Sequence, residues 1–353
     1  NITVLDSINT SSSTKSGGNI FVNAIGGALL TQQQAIPLPP QIDFNSDGFG
    51  PGNKAGNITL MSKSGLFLNG KITANGTGGA HGGVIVLRTS SNVDVCDCGP
   101  GGVTATALGG GNGGSVSISG KSLALNGLTP VFASVDVSSD QAAAGAVYVS
   151  SSDSVNTMVV GCNTCNGFAG KVLADGITGG RINLATASGF ELRPGFVVSA
   201  NGTTGAGGVA QILGVPGQTL NAQIDGTLNA TNGALSSGVV GFNSYMEGGV
   251  NITGTTGSVS AGQTVALGNL DPATGLPINP LVFPASSNFQ FGSIKANVGG
   301  NLIGNMISVG RLPPALPTES TATTRIAPPV LSFVAPSLLP NTTIIPIDQT
   351  PES

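Results

Sequence analysis

The residues best equipped for chemistry in this chain are its four cysteines, placed as Cys96-Asp97-Cys98 and Cys162-Asn163-Thr164-Cys165. A thiol can close a disulfide, bind zinc or stay free. Exported proteins favour disulfides, and four cysteines allow three pairings among which spacing does not choose. A four-thiolate zinc site is the alternative, although one pair is spaced C-x-C and no zinc-ribbon context surrounds it. A second constellation is Asp43-Phe44-Asn45-Ser46-Asp47-Gly48, which places the oxygen ligands Asp43, Asn45 and Asp47 at alternate positions before a glycine, as in the first half of a calcium loop. The twelfth position is Lys54 rather than a bidentate Glu, which excludes an EF-hand. Calcium therefore needs further ligands from elsewhere, and an ordinary Asp/Asn/Gly turn is the competing reading.

Other chemistry is poorly furnished. His81 is the single histidine and sits between glycine pairs, the setting of a solvated turn residue rather than of a general base. The glycine-rich run from Gly109 to Gly114 lacks the Lys-Ser/Thr of a phosphate loop. Polysaccharide cleavage would need carboxylates grouped on one face. Counted from the preceding glycine anchor defined below, Asp94, Asp136, Asp153, Asp175 and Asp225 lie at offsets of 11, 22, 8, 30 and 17, so they do not line up. There is no Trp, and Tyr148 and Tyr245 are far apart. The chain is read as non-enzymatic, with no catalytic residue and no cofactor apart from the calcium reading.

The elements that must position these groups come from a repeat, the first thing to seek in such a sequence. A small or glycine pair precedes alternating apolar residues in Gly17-Gly18-Asn19-Ile20-Phe21-Val22, Ala55-Gly56-Asn57-Ile58-Thr59-Leu60, Gly82-Gly83-Val84-Ile85-Val86-Leu87 and Gly113-Gly114-Ser115-Val116-Ser117-Ile118. It recurs at Gly145, Gly180, Gly208 and Gly238, giving spacings of 38, 27, 31, 31, 35, 28 and 30. Two shorter apolar segments follow within a unit, as in Leu66-Phe67-Leu68 and Lys71-Ile72-Thr73 after Gly56. Three short strands ended by Gly or Asn make a triangular winding with period-two alternation. Glycine pairs and β-branched residues disfavour helix throughout, and the glycines are expected at corners that need positive φ. Windings stacked about 4.8 Å apart bury a continuous core, so about eight of them give a rod on the order of 40 Å long. Asn69, Asn75, Asn126, Asn201 and Asn229 recur at corners, where they make either plain turns or amide ladders along the axis.

The Gly-Gly anchors and the corner sequences Ser199-Ala200-Asn201-Gly202, Thr73-Ala74-Asn75-Gly76 and Asn229-Ala230-Thr231-Asn232-Gly233 resemble the filamentous-haemagglutinin-like β-helix repeats of large bacterial surface and secreted proteins. The resemblance is one of repeat style and spans roughly residues 17–262. It implies an all-β, right-handed parallel β-helix with about three short strands per turn, export to the cell surface, and roles in adhesion, biofilm or fibre formation. The secretion cap of two-partner-secreted members is not recognisable in residues 1–16.

The expected organisation is an N-terminal cap or strand over 1–16, the β-helix over 17–270 with a loop insertion at 26–54, a Pro-rich irregular cap or connector over 271–317, and an extended Pro-rich arm over 318–353. The arm carries Val330, Leu331, Phe333, Val334, Ile344, Ile345 and Ile347 between prolines. It reads either as a linker or as a segment adding strands to a neighbouring copy.

Composition agrees with export. Charged residues are 8% and the net charge is −4, which offers no field for nucleic acid. No apolar run reaches the roughly 18 residues of a membrane span. The absence of an initial Met is read as processing after export, and the N-x-S/T sequons are assigned no role. The expected function is an extracellular subunit that polymerises with copies of itself into a fibre, sheath or matrix. A monomeric adhesin presenting loops 26–54, 96–102 and 161–170 to a cell surface or polysaccharide is the alternative.

Overall fold

Each of the eight glycine anchors leads into a strand, directly in seven cases and through Asn19 after Gly18: Ile20–Ala24, Asn57–Ser62, Val84–Thr89, Ser115–Gly120, Ala146–Ser151, Arg181–Thr186, Val209–Leu213 and Val239–Asn243. In the computed structural model these eight are consecutive neighbours in one sheet, joined by seven parallel pairings, and they are extended by Thr264–Leu267 and Asn301–Ile303 to 10 strands. The structure describes residues 1–31, 42–96, 102–126, 133–162, 164–215, 218–232, 238–243, 250–253, 257–261 and 264–267, and then 287–290, 295–298, 301–303, 306–310, 331–333 and 343–344.

After each strand of this first sheet the chain passes through a second sheet of 13 strands and a third of 11, then returns one level on. Gly48–Phe49 and Gly76–Thr77 form a small additional pair. The molecule is thus a parallel β-solenoid of about seven turns between the first and last anchors, with no helix among the described residues.

The register explains the alternation. In the first sheet Ile58, Ile85, Val116, Val147, Ile182, Ala210 and Val240 stack in line, all fully buried. Leu60, Leu87, Ile118, Val149, Leu184, Ile212 and Phe242 form the next inward row. The third sheet contributes Phe44, Ile72, Val103, Val135, Val172, Val198, Leu228 and Val259. Each such side chain is worth about 1.5–3 kcal/mol when buried, and only stacking makes that burial possible.

The anchor glycines are needed for a reason other than the expected positive φ. Gly238 has φ +115°, but Gly18, Gly56, Gly83, Gly114, Gly145, Gly180 and Gly208 are not in the left-handed region. Their constraint is steric. A Cβ on Gly83, Gly114, Gly145, Gly180 or Gly208 would overlap the carbonyl oxygen of the anchor one level before it. The same glycines close the third corner. Gly83 N–H donates to Ala74 O (2.8 Å), Gly114 to Ala105 O (2.7 Å), Gly145 to Val137 O (2.8 Å) and Gly180 to Ala174 O (2.9 Å).

The rod extends further than expected at both ends. Ile2–Val4 and Ile8–Asn9, within the residues read as a cap or strand, are the first rungs of the second and third sheets. The 26–54 segment, read as one loop insertion, supplies rungs at Leu29–Thr31 and Phe44–Asn45. Leu29 and Phe44 point inward and are fully buried, a pattern that the Pro- and Gln-rich residues between them obscured; 32–41 lie outside the described residues. Within 271–317, strands at Ser287–Gln290, Lys295–Val298, Asn301–Ile303 and Met306–Gly310 continue the three sheets.

Candidate functional site

The calcium candidates lie where the third sheet turns its outer face to water. Asp43, Asn45 and Asp47 alternate outward around the buried Phe44 and Ser46. Their oxygens serve the next level of the rod. Asp43 Oδ1 accepts the Lys71 N–H (2.7 Å), Asp47 Oδ1 accepts the Asn75 N–H (2.7 Å), and Thr73 Oγ1 donates to Asn45 Oδ1 (2.9 Å) or Asp47 Oδ2 (3.1 Å).

The pattern repeats along the axis. Asn75 Oδ1 accepts from Thr106 N–H (2.9 Å), Asp175 Oδ1 from Asn201 N–H (2.7 Å) and Asn201 Oδ1 from Thr231 N–H (2.9 Å). Asp47 and Asp175 themselves donate N–H to Ser11 Oγ (2.9 Å) and Ser138 Oγ (3.1 Å). The corner is a ladder, but a mixed one: Ser, Asp and Asn oxygens accept main-chain N–H groups of the following winding, so stacked side-chain amides are not its unit. His81 belongs to the same system one corner on, its Nδ1 accepting the Asn112 N–H at 2.9 Å. Among the described residues no three His, Cys, Asp or Glu side chains gather around one point.

The offsets hid one approach: Asp136 and Asp175, at offsets of 22 and 30, lie on adjacent windings close enough for their charges to interact, both tied to Ser138. Asp94 lies on the second sheet, Asp136 on the third, and Asp153 in a turn. Burial pushes the carboxyls of Asp94 and Asp136 above the usual carboxylate range. For Asp136, hydrogen bonds from Ser138 oppose the rise and the charge of Asp175 adds to it. Asp153 is held below the usual range by the side-chain and backbone N–H groups of Asn156 and by Val155 N–H. Its oxygens accept these at 2.8, 3.0 and 2.9 Å.

Of the cysteines, Cys162 and Cys165 are disulfide-bonded, with Cα atoms 5.5 Å apart. Cys96 ends the strand Val93–Cys96, aligned between Asn69 and Asn126, and Cys98 lies outside the described residues. The disulfide closes a feature that no other turn shows among the described residues. Met158–Val160 enters the second sheet at its proper level, loops through Cys162–Cys165, and crosses the same sheet again at Gly167–Phe168. This second crossing is wedged between Leu123–Asn126 and Met158–Val160, pairing with both. The second sheet thereby gains a rung that the first and third lack.

A two-residue rung cannot serve every group of its longer neighbours, and Asn166 makes up the difference. Its buried side chain accepts the Leu123 N–H (2.8 Å) and donates to Asn156 O (2.9 Å) and Ser151 Oγ (3.1 Å). Beside the loop, Arg193 Nε donates to Glu191 Oε1 at 2.8 Å and its Nη2 lies 3.7 Å from Cys165 Sγ. The sequence carried one trace of this device: the 35-residue spacing from Gly145 to Gly180 exceeds the mean of about 31.

The arm residues Leu331 and Phe333 fall in a strand that pairs with the chain's own third sheet, and Ile344 in one that pairs with its second. Val330, Val334, Ile345 and Ile347 lie outside the described residues.

The fold places the chain in the class of parallel β-solenoid proteins. No family model, no curated protein and no solved structure matches it. Among the described residues no helix is long and apolar enough to cross a membrane.

Proposed function

We propose that this chain is an exported structural protein, a rigid rod that associates end to end with copies of itself through its first turn. The observation that carries the reading is the state of that turn. Ile2, Val4, Ile8 and Val22 pack on the core but are only half-buried. One level further on, the in-line neighbours of Ile2, Ile8 and Val22, which are Leu29, Phe44 and Leu60, are fully buried, while Val4 is followed by the half-buried Thr31. Leu5, Phe21 and Ile25 in the same turn are 66%, 67% and 77% exposed. Among the described residues no strand pairs with the outer side of the first rungs of the three sheets, and an unpaired edge templates further pairing. A partner that buries these residues must supply parallel strands to the three sheets, and the strands that end those sheets on the other side, Asn301–Ile303, Leu331–Phe333 and Thr343–Ile344, offer such edges in a second copy. Such a head-to-tail contact does not close and so propagates. The Cys162–Cys165 disulfide supports an oxidising compartment, and catalysis has no part in the reading.

Electron microscopy with sedimentation velocity tests it. The wild-type chain is expected to form rods several copies long. Val22→Lys, which puts a charge on the inward row of the first turn, is expected to leave single particles of unchanged sheet content. A wild-type chain that stays monomeric at high concentration overturns the proposal.

A further inference from the structure

A second surface feature, independent of the ends, runs along the corner between the first and second sheets. It is an open groove of about 570 Å³ that crosses five successive windings, from Asn23 to Ser152. Lys63 and Arg88 stand on its walls, with Ser90 on the level of Arg88 and Ser119 and Ser150 each adding a hydroxyl on the next two levels. Both cations are exposed, and among the described residues neither has a carboxylate partner. No Asp or Glu lines the groove. The first-sheet strands from Asn57–Ser62 to Val209–Leu213 contain none either, whereas the third sheet and its corners carry Asp43, Asp47, Asp136 and Asp175.

We propose that this groove binds a linear polysaccharide bearing carboxylates, lying parallel to the rod axis. Three properties point to that ligand. The trough is long, straight and open at the side, so it fits a polymer rather than a small molecule. Its polar groups recur at the strand spacing, about 4.8 Å, close to the advance of one sugar in an extended chain. Hydroxyls both donate and accept, matching sugar hydroxyls, while the guanidinium of Arg88 takes a carboxylate in bidentate fashion and Lys63 acts as a point charge.

The experiment is isothermal titration with alginate oligosaccharides, in parallel with neutral dextran and single-stranded DNA of equal charge, on the chain and on two variants. Alginate is expected to bind with an affinity that falls as salt rises. Arg88→Gln with Lys63→Gln together should weaken it by about tenfold or more. Lys171→Gln, which removes one positive charge from the third sheet, should leave it unchanged. Lys63 and Arg88 are exposed and Lys171 is half-buried at the surface, so the variants are expected to keep the wild-type melting temperature. Alginate binding that is absent, that survives loss of both cations, or that falls equally in the Lys171 variant overturns the site. Binding of DNA or dextran as tight as that of alginate overturns the ligand class. None of these readouts depends on rod assembly, which Val22→Lys removes separately.

Discussion

Replacing Asn166 by Ala tests whether the extra rung is held by a side chain standing in for missing backbone. The amide accepts the Leu123 N–H and donates to Asn156 O, both in buried or part-buried surroundings. Ser151 Oγ, its third partner, keeps a hydrogen bond to Lys121 O at 2.9 Å and loses little. Asn156 O keeps the hydrogen bond from Ser188 Oγ at 2.7 Å, so one buried group, the Leu123 N–H, is left unsatisfied, giving an expected loss of about 1–3 kcal/mol. Solenoid turns contact only their neighbours, so the loss should be felt locally. Hydrogen exchange read by mass spectrometry is therefore the assay, with urea unfolding beside it. Peptides covering Leu123–Asn126 and Met158–Phe168 should exchange faster by orders of magnitude, while those in the first three turns should not change. Asn166→Asp keeps the acceptor but loses the amide donor, and it buries a charge. It should be worse than wild type at neutral pH and recover in part on acidification, when the carboxyl is protonated and can donate. Unchanged exchange at Leu123 in the Ala variant would refute the reasoning, since it would mean water or main chain serves that N–H equally well.

Other expectations follow from the same geometry. Gly145→Ala drives a Cβ into the Gly114 carbonyl and should cost about 3 kcal/mol or more. Gly52→Ala meets open space, with only its φ of +74° to pay, and should cost about 1–2 kcal/mol; equal urea midpoints for the two would reject the steric account of the anchors. Reducing Cys162–Cys165 opens a four-residue loop and should remove about 2 kcal/mol locally, seen as faster exchange in Met158–Phe168 with circular dichroism unchanged. Asp136 has a raised pKa in the fold, so its contribution is most favourable when it is protonated and is lost as pH rises from the unfolded value of about 3.9 through the folded one. Asp136→Asn should raise the melting temperature at pH 7 and lose that advantage near pH 4. Asp153 has the opposite sign: its stabilisation is present above the unfolded value and disappears as pH falls through its lowered one. Asp153→Asn should therefore destabilise at pH 7 and converge on wild type in strong acid.

What the sequence made legible is what repeats. Strand positions follow the anchors because every winding solves the same problem, burying two or three aliphatics per side against identical neighbours, and period-two alternation states that solution openly. The role of the anchors was legible only in part. A glycine reads as a corner whether it is there for positive φ or for the absence of a Cβ, and only coordinates show that Gly83, Gly114 and Gly145 each face the carbonyl of the preceding anchor. Asp43 and Asp47 show the same degeneracy. Alternate oxygens before a glycine suit a cation and suit equally the N–H groups of Lys71 and Asn75 one level on, and the distinguishing partner lies 28 residues away in the chain. Least legible was the rung at Gly167–Phe168, because it breaks the repeat that makes everything else readable. Its demands fall on one residue, Asn166, whose three partners lie 43, 15 and 10 positions away. An asparagine before a glycine looks like any turn, and only the surplus of residues between Gly145 and Gly180 says that the chain crosses one sheet twice.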